Sequence, residues 1–259
     1  MAQKGPKKGL KRSKAPKLWK IARKEKKWTI NPVCGPHNKE AIPLAFIIRD
    51  FLGYARTLRE AKYILNERKV MVNGAVRTDY RFPVGLMDVV EIPSTEQYFR
   101  ILPNRKGQLI LHPISPEEAQ IRPLKITDKH LIHSGVFQLR FHDGATLQVS
   151  PTGDREKKGA GGKGDMPAAE GKKKDKAFQF KRLGTVLFNV RSSDIVDYFS
   201  FEKHNYAMIT RGRNVSKAGT ITSIKEDMVE IEAEEKVRTL KENVFVIGKR
   251  ESIISLPGD

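Results

Sequence analysis

Residues 159 to 164 read GAGGKG and match the G-x-G-x-x-G pattern letter for letter. In a dinucleotide site those glycines follow a strand and open a helix whose N-terminus receives the pyrophosphate. Here charged residues precede the glycines, and Met166-Pro167 with further Gly and Lys follow, so no helix start is available and no cofactor is expected. His130 and His133 stand three apart in HLIH without Cys or carboxylate in ligand spacing. That is a poor metal site, and each His is expected to top a strand or contact a phosphate. Cys34 is the only cysteine, with His37 three residues on in PVCGPH, which excludes an intramolecular disulfide and a cysteine-based zinc site. Asp143 precedes Gly144 in a turn that backbone geometry explains, and as a catalytic acid it has no visible partner. Neither G-x-S-x-G nor G-x-x-x-x-G-K-[ST] occurs. The chain is expected to be no enzyme, with no metal and no small-molecule substrate.

What remains is positive charge. Over 259 residues, 49 Lys and Arg oppose 30 Asp and Glu, a formal net charge of +19. Such a chain repels itself and is expected to meet a polyanion, with nucleic acid the leading candidate because phosphate neutralisation releases counterions. The excess is local. Residues 1 to 27 hold 12 Lys or Arg, among them Lys4, Lys7, Lys8, Lys11, Arg12 and Lys14, against the single acid Glu25. Between residues 225 and 242 seven acids face four bases. The basic N-terminus lacks the apolar stretch of a signal peptide, and no apolar run reaches membrane-spanning length, so a cytoplasmic chain without a membrane partner is expected.

The elements that must position these cations are legible in part. Residues 1 to 27 are expected to be a disordered basic arm, with Leu10, Leu18, Trp19, Ile21 and Trp28 able to dock on the body or on a partner. Leu44, Ile47, Ile48, Phe51 and Leu52 predict a helix that Gly53 stops, with Arg49 off the apolar stripe. Thr57 and Glu60 form a T-x-x-E capping box, opening a second helix through about Arg68 whose buried stripe is Leu58, Ala61, Ile64 and Leu65. That leaves Arg56, Arg59, Lys62 and Lys69 outward, near a helix N-terminus whose free N–H groups suit a phosphate. Arg77 and Arg81 are further RNA-binding candidates. Val70 and Val72 alternate along a strand, Asn73-Gly74 is a hairpin turn, and residues 84–92 supply another strand.

From Tyr98 to about Phe201 short strands predominate, including residues 108–114 and a hairpin of 135–141 with ATLQVS, favouring a barrel or sandwich. Residues 153 to 176 carry six glycines, eight bases and five acids and read as a surface loop. From Phe201 on, YAMIT, TITSI, MVEIE and NVFVIG suggest a five-stranded barrel around the basic loop RGRNVSKAG, which holds Arg211, Arg213 and Lys217. The expected class is α+β and multi-domain: extension 1–42, helix-helix-β module 43–105, central β domain 106–200, and a barrel with tail 201–259.

The run FLGYARTLREAKYILNERKVMVNGAVRTDYRFPVGLMDVVEI resembles the αL RNA-binding fold. YAMITRGRNVSKAGTITSIKEDMVEIE resembles a KOW module, an SH3-like barrel in which Gly219 matches the signature glycine. With GPKKGLKRSKAPK, LPNRKGQLILHPISPEEA and FVIGKRESIISLP the likeness spans nearly the whole chain. It is to the archaeal and eukaryotic small-subunit ribosomal protein family called S-four-e, and the ending just past SLP resembles its archaeal branch. The resemblance implies a structural protein of the ribosome, with small-subunit rRNA and neighbouring ribosomal proteins as partners. Three features depart from the pattern: Gly85-Leu86-Met87-Asp88 is longer than the usual Gly-Asp, Arg211 replaces a small residue, and the 153–176 insert is foreign to it. Two alternatives stay open: an RNA-modifying enzyme with an appended αL module, and a KOW-containing transcription or translation regulator.

Overall fold

The computed structural model describes residues 9–22, 24–37, 40–132, 136–149, 180–192, 194–233 and 235–257. Lys4, Lys7, Lys8, His133, the GAGGKG stretch and the 153–176 insert lie outside these residues. The chain is α+β and mostly β. Three five-stranded antiparallel sheets succeed one another, preceded by a two-stranded pair and two short helical segments.

The arm is not free along its described length. Strands β1 (Gly9–Lys11) and β2 (Trp28–Ile30) pair, and between them Trp19 is buried. Its ring meets Phe46 edge-on at 5.5 Å, and its indole N–H donates to the Ala41 carbonyl at 3.0 Å. Leu10, Leu18 and Ile21 pack on the same core. Composition alone predicts disorder here, but the apolar residues are spaced so that a few large ones reach the body. Full burial of such a side chain contributes about 1.5–3 kcal/mol. Trp28 stays 56% exposed.

The apolar stripe of 44–52 forms one turn of α-helix, α1 (Leu44–Phe46), continued as a π-helix over Ile47–Phe51. The Leu52 N–H reaches back five residues to Ile47. A spacing of i, i+3, i+4 does not separate these two windings. Gly53 then adopts φ +71° and ends the run as expected. Helix α2 (Leu58–Asn66) starts at the predicted cap, with the Glu60 N–H donating to the Thr57 hydroxyl, and buries Ala61 and Leu65.

Strands β3 (Ile42–Pro43), β4 (Met71–Val72), β5 (Ala75–Val76), β6 (Pro83–Val84), β7 (Val89–Ile92), β8 (Gln97–Pro103) and β9 (Leu109–Pro113) follow. β3 pairs with β6, and the others form a sheet in the order β5-β4-β7-β8-β9. Asn73 and Gly74 both take positive φ, the twist a two-residue hairpin needs.

The central sheet comprises β10 (Ile121–Leu131), β11 (Phe137–Phe141), β12 (Thr146–Val149), β13 (Thr185–Asn189) and β14 (Ile195–Phe199), in the order β12-β11-β10-β13-β14. β10 serves two partners: Ile121–Lys125 pair with β13, and Ile126–Leu131 pair with β11 across a register shift between Ile126 and Asp128. The last sheet holds β15 (Tyr206–Ile209), β16 (Ala218–Lys225), β17 (Met228–Glu232), β18 (Lys236–Leu240) and β19 (Val244–Gly248), in the order β18-β17-β16-β15-β19. All five contribute to one apolar cluster, including Ala207, Ile221, Ile231, Val237 and Val246, so the sheet curls around it. A Cβ on Gly219 would lie 2.1 Å from the Glu232 carbonyl oxygen, so only glycine fits that crossing. Among the described residues no helix is long and apolar enough to cross a membrane.

Candidate nucleic-acid interface

Helix α2 buries one face against α1 and the first sheet, which turns Arg59, Tyr63 and Asn66 outward. Its first turn is already capped. The Glu60 carboxylate accepts from the Arg56 N–H at 2.8 Å and from the Thr57 hydroxyl at 3.0 Å. These bonds, led by that from the Arg56 N–H, hold the Glu60 carboxyl below its ordinary range. The box engages the Glu60 N–H of the first turn, and the N–H groups of Leu58 and Arg59 are the ones a phosphate could meet there. The same bonds draw the one acid of α2 back toward its start. Arg59, Arg68 and Lys69 are exposed and form no side-chain hydrogen bond or ion pair among the described residues. Arg56 is exposed just before the helix start, and Lys62 lies with its ammonium 4.3 Å from the centre of the Tyr80 ring.

The other candidate cations differ in how far the chain has engaged them. Arg12 is buried, bonded to the Ala22 carbonyl and 3.8 Å from Glu25. Arg49 forms a two-pronged ion pair with Asp50 at 2.8 Å and stacks on Phe46. Arg77 stacks on Phe82, and the Arg81 Nε donates to the Asn31 carbonyl. Arg211 pairs with Glu40 at 2.6 Å and Lys217 with Glu235 at 3.5 Å. Lys11, Lys14 and Arg213 are exposed. A guanidinium already matched to a carboxylate has less to gain from a phosphate than one with none.

A second constellation, absent from the sequence reading, lies at the centre of the molecule. Asp88 is 1% exposed and accepts four hydrogen bonds. Its Oδ1 takes Asn73 Nδ2 at 2.8 Å and an Arg122 NH at 2.6 Å, and its Oδ2 takes His37 Nε2 at 2.8 Å and the Gly85 N–H at 2.9 Å. Arg122 also bonds Asp143 at 2.9 Å, and the His37 N–H donates to the Asp143 carbonyl. The Gly85–Asp88 stretch, one of the departures noted above, bends through Met87 at φ +65° and so delivers the carboxylate to this point. A Cβ on Gly85 would lie 2.2 Å from the His37 ring. Asp143 therefore does have a partner, and His37 faces Asp88 while Cys34 is exposed. His130 likewise has a carboxylate, Asp128, at 2.8 Å, on an exposed stretch of β10. Among the described residues no group of three or more His, Cys, Asp or Glu is placed to hold a metal ion.

Burial by itself would raise the Asp88 carboxyl, but His37, Arg122 and the bonds they donate hold it well below the usual carboxylate range. His142 packs against His37 at 5.7 Å and Phe245 at 5.3 Å. Its Nε2 donates to the Leu86 carbonyl and its Nδ1 accepts from the Lys125 N–H, an arrangement only the neutral ring can make. Burial first, and then His37, push its pKa down to about 4. Between pH 6.5 and 4 the unfolded chain therefore binds a proton that the folded chain does not, and stability falls as the pH falls. A depression from 6.5 to about 4 sets the expected loss at no more than about 3 kcal/mol. Below about pH 4 the contribution of Asp88, complete above the ordinary carboxyl range, is lost as well. Urea midpoints from pH 7 to 4 check this, and a flat profile would contradict the neutral-ring assignment.

Residues 44–90 match the S4 domain model, residues 4–40 the RS4NT (NUC023) domain, and residues 95–195 the model described as Ribosomal family S4e. The small ribosomal subunit protein eS4 of Archaeoglobus fulgidus is 38% identical over 93% of this chain and 94% of its own. The chain belongs to ribosomal family S4e. Its counterpart in Methanothermobacter thermautotrophicus is also 38% identical, over 100% of this chain and 99% of that one. The crystal structure of the 30S ribosomal protein S4e from Thermoplasma acidophilum superposes with a TM-score of 0.64 at 27% identity, covering 81% of this chain and 96% of that one. In this S4e-family chain α2 lies within the S4 match. The buried junction draws on all three matched stretches: His37 on the first, Asp88 on the second, Arg122 and Asp143 on the third.

Proposed function

We propose that this S4e-family chain is a non-enzymatic structural constituent of the small ribosomal subunit in the cytoplasm, binding small-subunit rRNA and neighbouring ribosomal proteins. The observation that carries the rRNA-binding surface is the contrast on α2 and just past its end: Arg59, Arg68 and Lys69 stand exposed and unengaged among the described residues, while Glu60 is drawn back onto the helix start. Cations so placed neutralise phosphates without first breaking an internal pair, and RNA helices then pack where they would otherwise repel. Readout is by shape and backbone, because the major groove of A-form RNA is too narrow for side chains. Lys11, Lys14, Arg56, Lys62 and Arg213 are further RNA-binding candidates in this reading, as are Lys4, Lys7 and Lys8, which lie outside the described residues. Arg12, Arg49, Arg77, Arg81, Arg211 and Lys217 act first within the protein.

The division into extension 1–42, αL module 43–105, central β domain 106–200 and C-terminal unit 201–259 is part of the proposal. So is the reading of the last unit as a KOW barrel, which its curled five-stranded sheet and the crowded Gly219 support. The test is the binding of the full chain to protein-free small-subunit rRNA across salt concentrations. Log affinity should fall steeply and linearly with log salt, and weak binding indifferent to salt would refute the mechanism.

A further inference from the structure

We infer that Tyr63 is a stacking platform for an unpaired base of the rRNA, set between a phosphate held by Arg59 and a base edge facing Asn66. This deepens the proposal above and rests on its rRNA-binding reading. Ala61 and Leu65 define the buried side of α2, and at 100° per residue the point opposite them falls on Tyr63, with Arg59 on one side, Glu67 on the other and Asn66 a little beyond Arg59. Tyr63 is 65% exposed, one of the most exposed large hydrophobic side chains of the described residues. Packing does not decide the residue there, and helix propensity favours Ala, Lys, Glu or Arg over Tyr. Nor does an internal contact account for it. Neighbouring cations find aromatic partners, Lys62 over Tyr80 and Arg77 over Phe82, whereas Tyr63 forms no ring or cation contact among the described residues.

The row at i, i+4 and i+7 therefore presents a guanidinium, a flat aromatic face and an amide, with the exposed Glu67 on the far side of Tyr63 from Arg59. Those three groups suit a splayed nucleotide: charge for the phosphate, a π surface for the base, and a donor and acceptor for its edge. A regular duplex offers no free base face, so the site selects a bulge, a loop or a strand end. Charge complementarity with Arg56, Arg59 and Arg68 favours RNA over an apolar protein partner.

The test compares wild type with Tyr63→Phe, Tyr63→Leu and Arg59→Gln in binding protein-free small-subunit rRNA over a range of salt. Tyr63→Phe should bind within about twofold of wild type. Tyr63→Leu should bind at least about fivefold more weakly with an unchanged salt slope, since a stacked base releases no counterion. Arg59→Gln should flatten the slope by about 0.7–0.9. Leucine is a better helix former than tyrosine, so an unchanged melting temperature is expected and separates binding from folding. If Tyr63→Leu binds like wild type while Arg59→Gln is weakened, stacking is overturned and the rRNA-binding face survives. If Phe loses as much as Leu, the hydroxyl and not the ring is the contact, which also overturns it. If wild type itself binds without salt dependence, the underlying reading fails. Ultraviolet crosslinking of assembled small subunits should give a Tyr63–nucleotide adduct; a Tyr63–protein adduct would overturn the proposal in favour of a protein neighbour.

Discussion

Replacing Asp88 by Asn should lower the unfolding free energy by about 3–5 kcal/mol, the cost of removing one member of a buried, hydrogen-bonded charge pair. The chemistry of the partners sets this magnitude. All four groups around the carboxylate act as donors: Asn73 Nδ2, an Arg122 NH, His37 Nε2 and the Gly85 N–H. Whichever way an Asn amide is turned, its NH2 faces either the guanidinium and the Asn73 amide or His37 and the Gly85 N–H. His37 can respond by changing tautomer, but the Gly85 N–H cannot. Asp143→Asn should cost less. Of its two oxygens, one takes Arg122 and the other only the Ala145 N–H in its own turn. Urea unfolding of the two variants measures the difference. Equal, small losses would mean that the junction contributes little and that the sheets are held together by their apolar contacts alone.

The second large effect is on binding. Converting Arg56, Arg59, Arg68 and Lys69 together to Gln should weaken rRNA binding by about 10²–10³-fold near 0.1 M salt. The slope of log affinity against log salt should flatten by about 3, as four phosphate contacts at 0.7–0.9 each would release. Stability should change little, because Arg56 serves the cap through its backbone N–H, which Gln keeps, and exposed side chains outside ion pairs usually contribute within about 0.5 kcal/mol. Converting Arg49, Arg77, Arg81 and Arg211 removes the same charge but strikes pairs and stacks inside the protein. That variant should lose more stability and less of the salt slope. The reverse pattern would place the RNA on the wrong face of the molecule.

How far the sequence foretells this structure depends on the range of the interaction. The start of α2 is readable because Thr57 and Glu60 are three residues apart and their bond is local. The β4–β5 turn is readable because Asn73 and Gly74 tolerate the φ it requires. The π-wound continuation of α1 is not, since its apolar spacing fits either winding. β10 hides for another reason: Pro123 and the charges at Lys125, Asp128 and Lys129 break the alternation of a strand that changes partner midway. The junction is least readable of all. Asp88 meets His37 across 51 residues and Arg122 across 34, distances over which no periodicity carries information. Two local oddities pointed to it, the lengthened Gly85–Asp88 turn and the Asp-Gly pair at Asp143. Each has a sufficient backbone explanation by itself.

The outward cations of α2 were legible as a set, but their meaning changed once the cap was in view. Glu60 turns back onto Arg56 and Thr57 and leaves Arg59, Arg68 and Lys69 without a carboxylate partner among the described residues.

The most direct measurement is sedimentation of a cell lysate through a sucrose gradient at moderately high salt, with the chain followed by antibody. The expected result is co-migration with the small ribosomal subunit at about one copy per particle, lost when Arg56, Arg59, Arg68 and Lys69 are all converted to Gln. A chain that stays at the top of the gradient, or follows polymerase or free RNA, would contradict the assignment to the small subunit.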